Sequence, residues 1–160
     1  LMQTFSVARA RNNFTHLYHE VTEGWNECLV KHGSKKNPYQ MSLIPTEFLD
    51  AMVDKTFKFT TDWTYTKDDT APEGWWTVWV PQLNLFGDGP DKESALQALV
   101  DAVIDEVTFA FRDLRSYFGN HKEFNEKFPY FRRIARLQAD DGSFDYARVA
   151  DILTESETKA

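Results

Sequence analysis

The sequence predicts an α+β fold: a small mixed module at the N-terminus, a β-β-β-α domain after it, and helices at the C-terminal end. Three observations predict this. Phe57, Phe59, Thr61, Trp63 and Tyr65 alternate with Lys58, Thr60, Asp62, Thr64 and Thr66, the period of a strand with one buried face. Leu96, Leu99, Val100, Val103, Ile104, Val107, Phe111, Leu114 and Phe118 form a wide apolar stripe at helical spacing. Two short strand-like runs, residues 27–31 and 39–44, precede a proline-started helix.

Residues 4–7 form the first strand candidate. Phe14, Leu17, Tyr18 and Val21 then recur at i, i+3, i+4 and i+7, an amphipathic helix with Asn13 as its expected N-cap and Gly24 as its stop. Between the runs 27–31 and 39–44 lies the loop His32-Gly33-Ser34-Lys35-Lys36-Asn37-Pro38. The helix over 45–53 is expected to bury Phe48, Leu49 and Met52.

The alternating strand from Phe57 reaches a turn at 68–74, rich in Asp, Pro and Gly. The return strand, 75–80, is ended by Pro81. It sets Trp76, Val78 and Val80 on one face and Trp75, Thr77 and Trp79 on the other. Trp75 and Trp79 are either a partner surface or, the expected reading, covered by the following helix. A third strand lies around 83–87, and Asp91 caps the long helix. In residues 119–160, Phe124, Phe128, Tyr130, Phe131, Ile134 and Leu137 stand among charges. Asp140-Asp141-Gly142 breaks the pattern. Phe144, Val149, Ile152 and Leu153 suggest a last short helix, with a frayed polar tail after Thr154.

An apolar content of 42% with 15% aromatics excludes a disordered chain. No apolar run reaches the ~18 residues of a membrane span, and no signal peptide is visible. The lone Cys28 excludes an intrachain disulfide framework and fits a reducing cytoplasm. The net charge of −7 is uneven. Residues 1–60 hold seven Lys/Arg and six Asp/Glu, and residues 61–160 hold eleven and nineteen, so the two parts carry +1 and −8. The second part is either a solvated acidic surface or one that meets a basic partner.

Catalytic chemistry is hard to find. Gly74, Gly87 and Gly89 read as turn glycines rather than a phosphate loop. His16, His19 and Glu20 lack the spacing of a metalloprotease helix and read as exposed helix surface. Cys28 reads as a core residue. Asp68 and Asp69 read as turn formers rather than ligands of a divalent ion. Asp101, Asp105 and Glu106 face away from the apolar stripe and are expected to be solvated. No metal, cofactor or enzyme activity is expected.

A basic cluster carries more. Arg9 and Arg11 are expected at a helix beginning, where free N–H groups favour phosphate. Asn12 and Asn13 can bond phosphates or adenine edges. Lys35 and Lys36 occupy a hairpin tip. The cluster is either a phosphate-binding surface or an ordinary charged loop.

Ala10-Arg11-Asn12-Asn13-Phe14 resembles the Ala-Arg-Gly-Asn-Leu signature of the Phd/YefM antitoxin family. Leu29-Val30-Lys31-His32-Gly33 resembles its Ile-Thr-Arg-Arg-Gly, and Met41-Ser42-Leu43-Ile44 with Phe48 resembles its third strand and final helix. Asn12 here replaces a small residue, His32 replaces a frequent arginine, and the hairpin loop is longer. Trp76 through Leu83, then Phe86-Gly87, then Asp91 through Leu96 resemble the Tyr-x-Val-x-x-Pro-x-Leu strand, small-residue turn and Thr-x-Glu-Glu-Ala-Leu helix start of HicB-like antitoxins. Residues 119–160 resemble neither.

These resemblances imply a Phd/YefM-like dimerisation and DNA-binding module over 1–56, a HicB-like domain over 57–118 and a helical segment over 119–160. They imply an antitoxin that represses its own operon as a homodimer and masks a small basic RelE-like ribonuclease toxin. Operator DNA would meet Arg9, Arg11, Asn12, Asn13, Lys31, Lys35 and Lys36. The toxin would meet Phe124, Phe128, Tyr130, Phe131 and Arg132, unless those aromatics pack back onto the long helix. Two other classes stay open: a degenerate nuclease and a stand-alone ligand-sensing transcriptional regulator.

Overall fold

Parallel pairing of the first two strands dictates the N-terminal architecture. In the computed structural model, which describes residues 2–32 and 40–157, β1 (Gln3–Ser6) pairs parallel with β2 (Cys28–Lys31). Parallel neighbours need a crossover, and α1 (Val7–Asn12) and α2 (Phe14–Thr22) supply it. β3 (Gln40–Leu43) then pairs antiparallel with β2, giving the order β1-β2-β3. Phe5, Ala10, Leu17, Val21, Cys28 and Val30 form the small core between helices and sheet. Cys28 is a core residue, as expected, and burial, then the nearby Glu20 charge, pushes its thiol up.

Two expectations here are corrected. The helix expected after Asn13 starts at Phe14 as read, but a separate short helix, α1, precedes it. Ser6 caps α1, its hydroxyl accepting the Arg9 N–H at 3.2 Å, so Arg9 and Arg11 sit in the last turn and not at a helix start. Asn13 makes no side-chain cap; its amide instead donates back to the Arg9 carbonyl at 3.1 Å. Farther on, the Pro45 carbonyl accepts from the Phe48 and Leu49 N–H groups to start α3 (Thr46–Thr56). Met52 is exposed and Val53 is the buried residue, so the buried face is turned by one position from the expected one.

The chain divides into two compact units, Leu1–Met52 and Val53–Ala160. In the second, β4 (Asp62–Asp68), β5 (Ala71–Val80) and β6 (Leu85–Gly89) form an antiparallel sheet in that order. Phe59 is buried but lies before β4, and Tyr65 is exposed, so the alternation beginning at Phe57 overstates the strand at one end and its burial at the other. The turn shrinks to Asp69 and Thr70. Asp68 forms it by accepting from the Thr70 N–H, the Thr70 hydroxyl and the Ala71 N–H.

α4 (Lys92–Ala110) starts at Asp91, whose carboxylate accepts the Ser94 N–H at 2.8 Å, as the sequence predicts. It packs on β6 through Gly87 and Gly89. A Cβ on Gly87 would stand 2.2 Å from both the Ala95 carbonyl oxygen and the Leu99 nitrogen. These are strand glycines that admit a helix backbone, not turn glycines.

The long helix expected to Phe118 breaks at Ala110. Asp113 caps a separate α5 (Leu114–Phe118), accepting the Ser116 N–H at 3.1 Å and its hydroxyl at 2.6 Å. The break re-aims Phe118 into the core. Glu106 is half-buried, not solvated, and accepts from the Tyr117 hydroxyl. α6 (His121–Ala135) and α7 (Tyr146–Leu153) complete the same core, which holds Phe131, Ile134, Val149 and Leu153 together with Val78, Leu99 and Val103. The tail after Thr154 is anchored where fraying was expected. Glu155 accepts the Phe59 N–H at 2.7 Å, and Glu157 accepts the Trp63 indole N–H at 2.5 Å and the Thr61 hydroxyl.

Candidate nucleic-acid interface and partner surfaces

α1 presents Arg9, Arg11, Asn12 and Asn13 to solvent while Ala10 packs inward. The Arg9 guanidinium lies 5.1 Å from the Phe5 ring centroid. The Arg11 Nε donates to the Asn12 carbonyl oxygen of the side chain at 3.4 Å. Because β2 runs parallel to β1, its last residues arrive beside the start of α1. Ser6, Val7, Ala8, Arg11 and His32 line one shallow groove there. Lys31, exposed, ends β2 opposite Gln40. Lys35 and Lys36 lie outside the described residues. His32, noted in the sequence as replacing a frequent arginine but not counted among the DNA-binding residues, joins Arg11 because of the parallel register. That register has no local sequence signal.

α2 also leaves an apolar flank. Glu20 accepts from the Gln3 amide at 3.0 Å, and His16 touches the Phe5 ring edge. The His16–Glu20 flank therefore lies over β1. Phe14 and Tyr18, on the opposite flank of the helix, are exposed, and so is Met41 of β3.

In the second unit, the expected toxin anchors are brought together but largely occupied with one another. Phe124 stacks on Phe128 at 4.5 Å and meets the Phe118 edge at 5.4 Å. Phe128 stacks on Phe111, and Tyr130 packs on Phe57 and Phe59. Phe131 is enclosed. Arg132 lines a groove with Phe111, Arg112, Arg136 and Phe144.

Trp75 and Trp79, expected under α4, lie on the other side of the sheet. They are 42% and 41% exposed, with Phe86 at 60%. The signal for this was in the strand after them: the inward positions of β6 are Gly87 and Gly89, and the outward ones Phe86 and Asp88. Lys92 of α4 stacks instead on the inner pair, 4.6 Å from Trp76 and 5.1 Å from Trp63. Among the described residues, no group of three or more His, Cys, Asp or Glu converges on a point that could hold a metal ion. No helix among them is long and apolar enough to cross a membrane.

The PHD_like family, described as antitoxin of toxin-antitoxin, RelE/RelB, TA system, matches residues 1–148. A crystal structure from Syntrophomonas wolfei subsp. wolfei, described as the antitoxin part of a proposed toxin/antitoxin system, has a similar fold. Its TM-score is 0.67 at 16% identity, over 94% of this chain and 96% of that one. No curated protein sequence matches the chain.

Proposed function

Because the chain belongs to the PHD_like family of RelE/RelB-system antitoxins, a regulatory protein with a toxin partner rather than an enzyme, we propose that it neutralises a RelE-like ribonuclease toxin by direct binding and represses its own operon at operator DNA. One observation carries the DNA half: the exposed Arg11, bonded to Asn12, lines a groove with His32, the residue after the exposed Lys31. Side-chain cations around a groove fit phosphate contacts, and an arginine among them can read a guanine. Lys35 and Lys36 add to this set by sequence. The exposed Phe14, Tyr18 and Met41 support a homodimer through the N-terminal unit, which would present two such patches to a palindromic site in the cytoplasm.

The toxin half belongs to residues 53–160. They carry the whole net charge of −7, while residues 1–52 are balanced. A ribonuclease that binds RNA needs a positive surface, which an acidic partner complements.

The test of the DNA half is a mobility shift on the chain's own promoter fragment across salt concentrations. Arg11→Ala weakens binding by more than ~1 kcal/mol and relaxes selectivity at one base pair. Absence of any shift by the wild type at low salt overturns the repressor reading. Co-expression with the product of the neighbouring reading frame tests the toxin half by rescue of growth.

A further inference from the structure

We propose that the outer face of the β4-β5-β6 sheet is the surface that grips the basic toxin; this rests on the antitoxin reading above. The strand register sets Asp62, Trp79 and Phe86 in one row across the three strands, and Thr64, Thr77 and Asp88 in the next. α4 lies against the opposite face, so these rows face outward. Trp79 and Phe86 remain exposed on the first row, and Trp75, paired with Thr66 one row beyond the second, is exposed on the same face. Asp88 is held in place by the Thr77 hydroxyl, which donates to it at 2.7 Å. At the hairpin end, Pro72, Trp75 and Pro90 line a hollow continuous with the face.

Charge selects the occupant. Residues 62–91 contain six carboxylates, Asp62, Asp68, Asp69, Glu73, Asp88 and Asp91, against the single cation Lys67. Exposed tryptophan faces bounded by carboxylates receive Lys and Arg side chains through cation–π contact and ion pairing together. A second copy of this chain would meet the same carboxylates with its own and be repelled. The aromatic cluster of α5 and α6 is the poorer surface for a basic partner. Its rings stack on each other, and Arg112, Arg132 and Arg136 line the groove beside it. The sheet face measures roughly 15 Å on a side from strand spacing and rise. That is a fraction of the ~800 Å² that a stable interface takes from one partner, so the face is the centre of the contact and the surrounding acids its rim.

The full chain is titrated calorimetrically with the untagged product of the adjacent reading frame, with thermal melts of every variant. Trp79→Ala and Phe86→Ala each weaken binding by about tenfold or more, as central aromatic anchors do. Asp62→Lys, at an exposed edge position that leaves the fold intact, slows association and flattens its salt dependence. Phe111→Ala, beside the aromatic cluster of α6, stays within about twofold of wild type. Wild-type affinity in the three sheet variants, or loss of binding confined to Phe111→Ala, overturns the proposal while leaving the antitoxin reading intact. A wild type that does not bind the neighbouring product removes the reading itself, and the proposal with it.

Discussion

Arg133 and Glu155 meet through two hydrogen bonds, Nη1 to Oε1 at 2.6 Å and Nη2 to Oε2 at 3.1 Å. Glu155 also accepts the Phe59 N–H, while Arg133 donates to Asp54 at 2.9 Å and to the Phe57 carbonyl at 2.9 Å. One guanidinium, 4% exposed, thereby fastens the end of α3, the segment before β4, and the residues after α7 to α6. Its plane also covers the Phe59 ring at 5.4 Å.

Removing this arginine leaves two carboxylates in a site arranged for a cation. Arg133→Ala is expected to cost about 3 kcal/mol or more of stability, read from the urea midpoint of the full chain. Arg133→Lys restores only part, because one ammonium cannot reach the Asp54, Phe57 and Glu155 oxygens together. A variant as stable as wild type shows that the cluster contributes nothing net.

The same cluster sets an acid limit. Burial opposes ionisation of Glu155, but hydrogen bonds from Arg133 and the Phe59 N–H and the charges of Arg133 and Lys58 outweigh it, holding the carboxyl below its ordinary 4.5. Asp54 is likewise pulled below 3.8, against burial, by hydrogen bonds from Arg136 and Arg133 and by their charges. Lowered folded-state values mean that the unfolded chain takes up protons first. The stabilisation is therefore complete above about pH 4.5 and is lost progressively as the pH falls below it. Tm measured from pH 7 to pH 3 shows this loss, and Glu155→Gln lowers Tm at pH 7 while making its fall in acid shallower. Equal slopes for the two proteins count against the assignment.

Gly87→Ala is expected to destabilise the second unit by about 1–3 kcal/mol or more, since the new methyl meets helix backbone that cannot rotate away. Gly142 makes the comparison: its φ is +86°, yet a Cβ there has no neighbour closer than 3.8 Å. Gly142→Ala carries only conformational strain of about 1 kcal/mol. Denaturant midpoints rank the two. A milder effect at Gly87 shows that α4 can lift from the strand.

What the sequence made legible follows from what is local. The Asp91 cap and the stripe from Leu96 to Val107 depend on neighbours within a few positions, and each stands where its pattern put it; the Asp68 turn starts where expected but is shorter than its composition suggests. The end of the long helix was hidden because Phe111, Leu114 and Phe118 keep helical spacing across a break that Asp113 caps. Trp75 and Trp79 were misplaced because alternation gives two faces without saying which one a helix covers; the glycines of β6 hold that information. Arg11 and His32, and Arg133 and Glu155, are joined by pairings between segments distant in sequence, for which no periodicity speaks. Arg9 and Arg11 are exposed, and they lie in the last turn of α1 where the sequence suggests a helix start.

At Gly87 and Gly89 no side-chain layer separates α4 from the sheet. Elsewhere in a sheet–helix sandwich, a layer of rotatable groups absorbs small shifts before they cross. Here the wall between helix and outer face is one peptide thick, with Phe86 and Asp88 on its far side. A load applied at those two residues passes straight to the first turns of α4, around Ala95 and Leu99. Amide hydrogen exchange in that stretch is thus a built-in gauge of whatever presses on the other side of the strand.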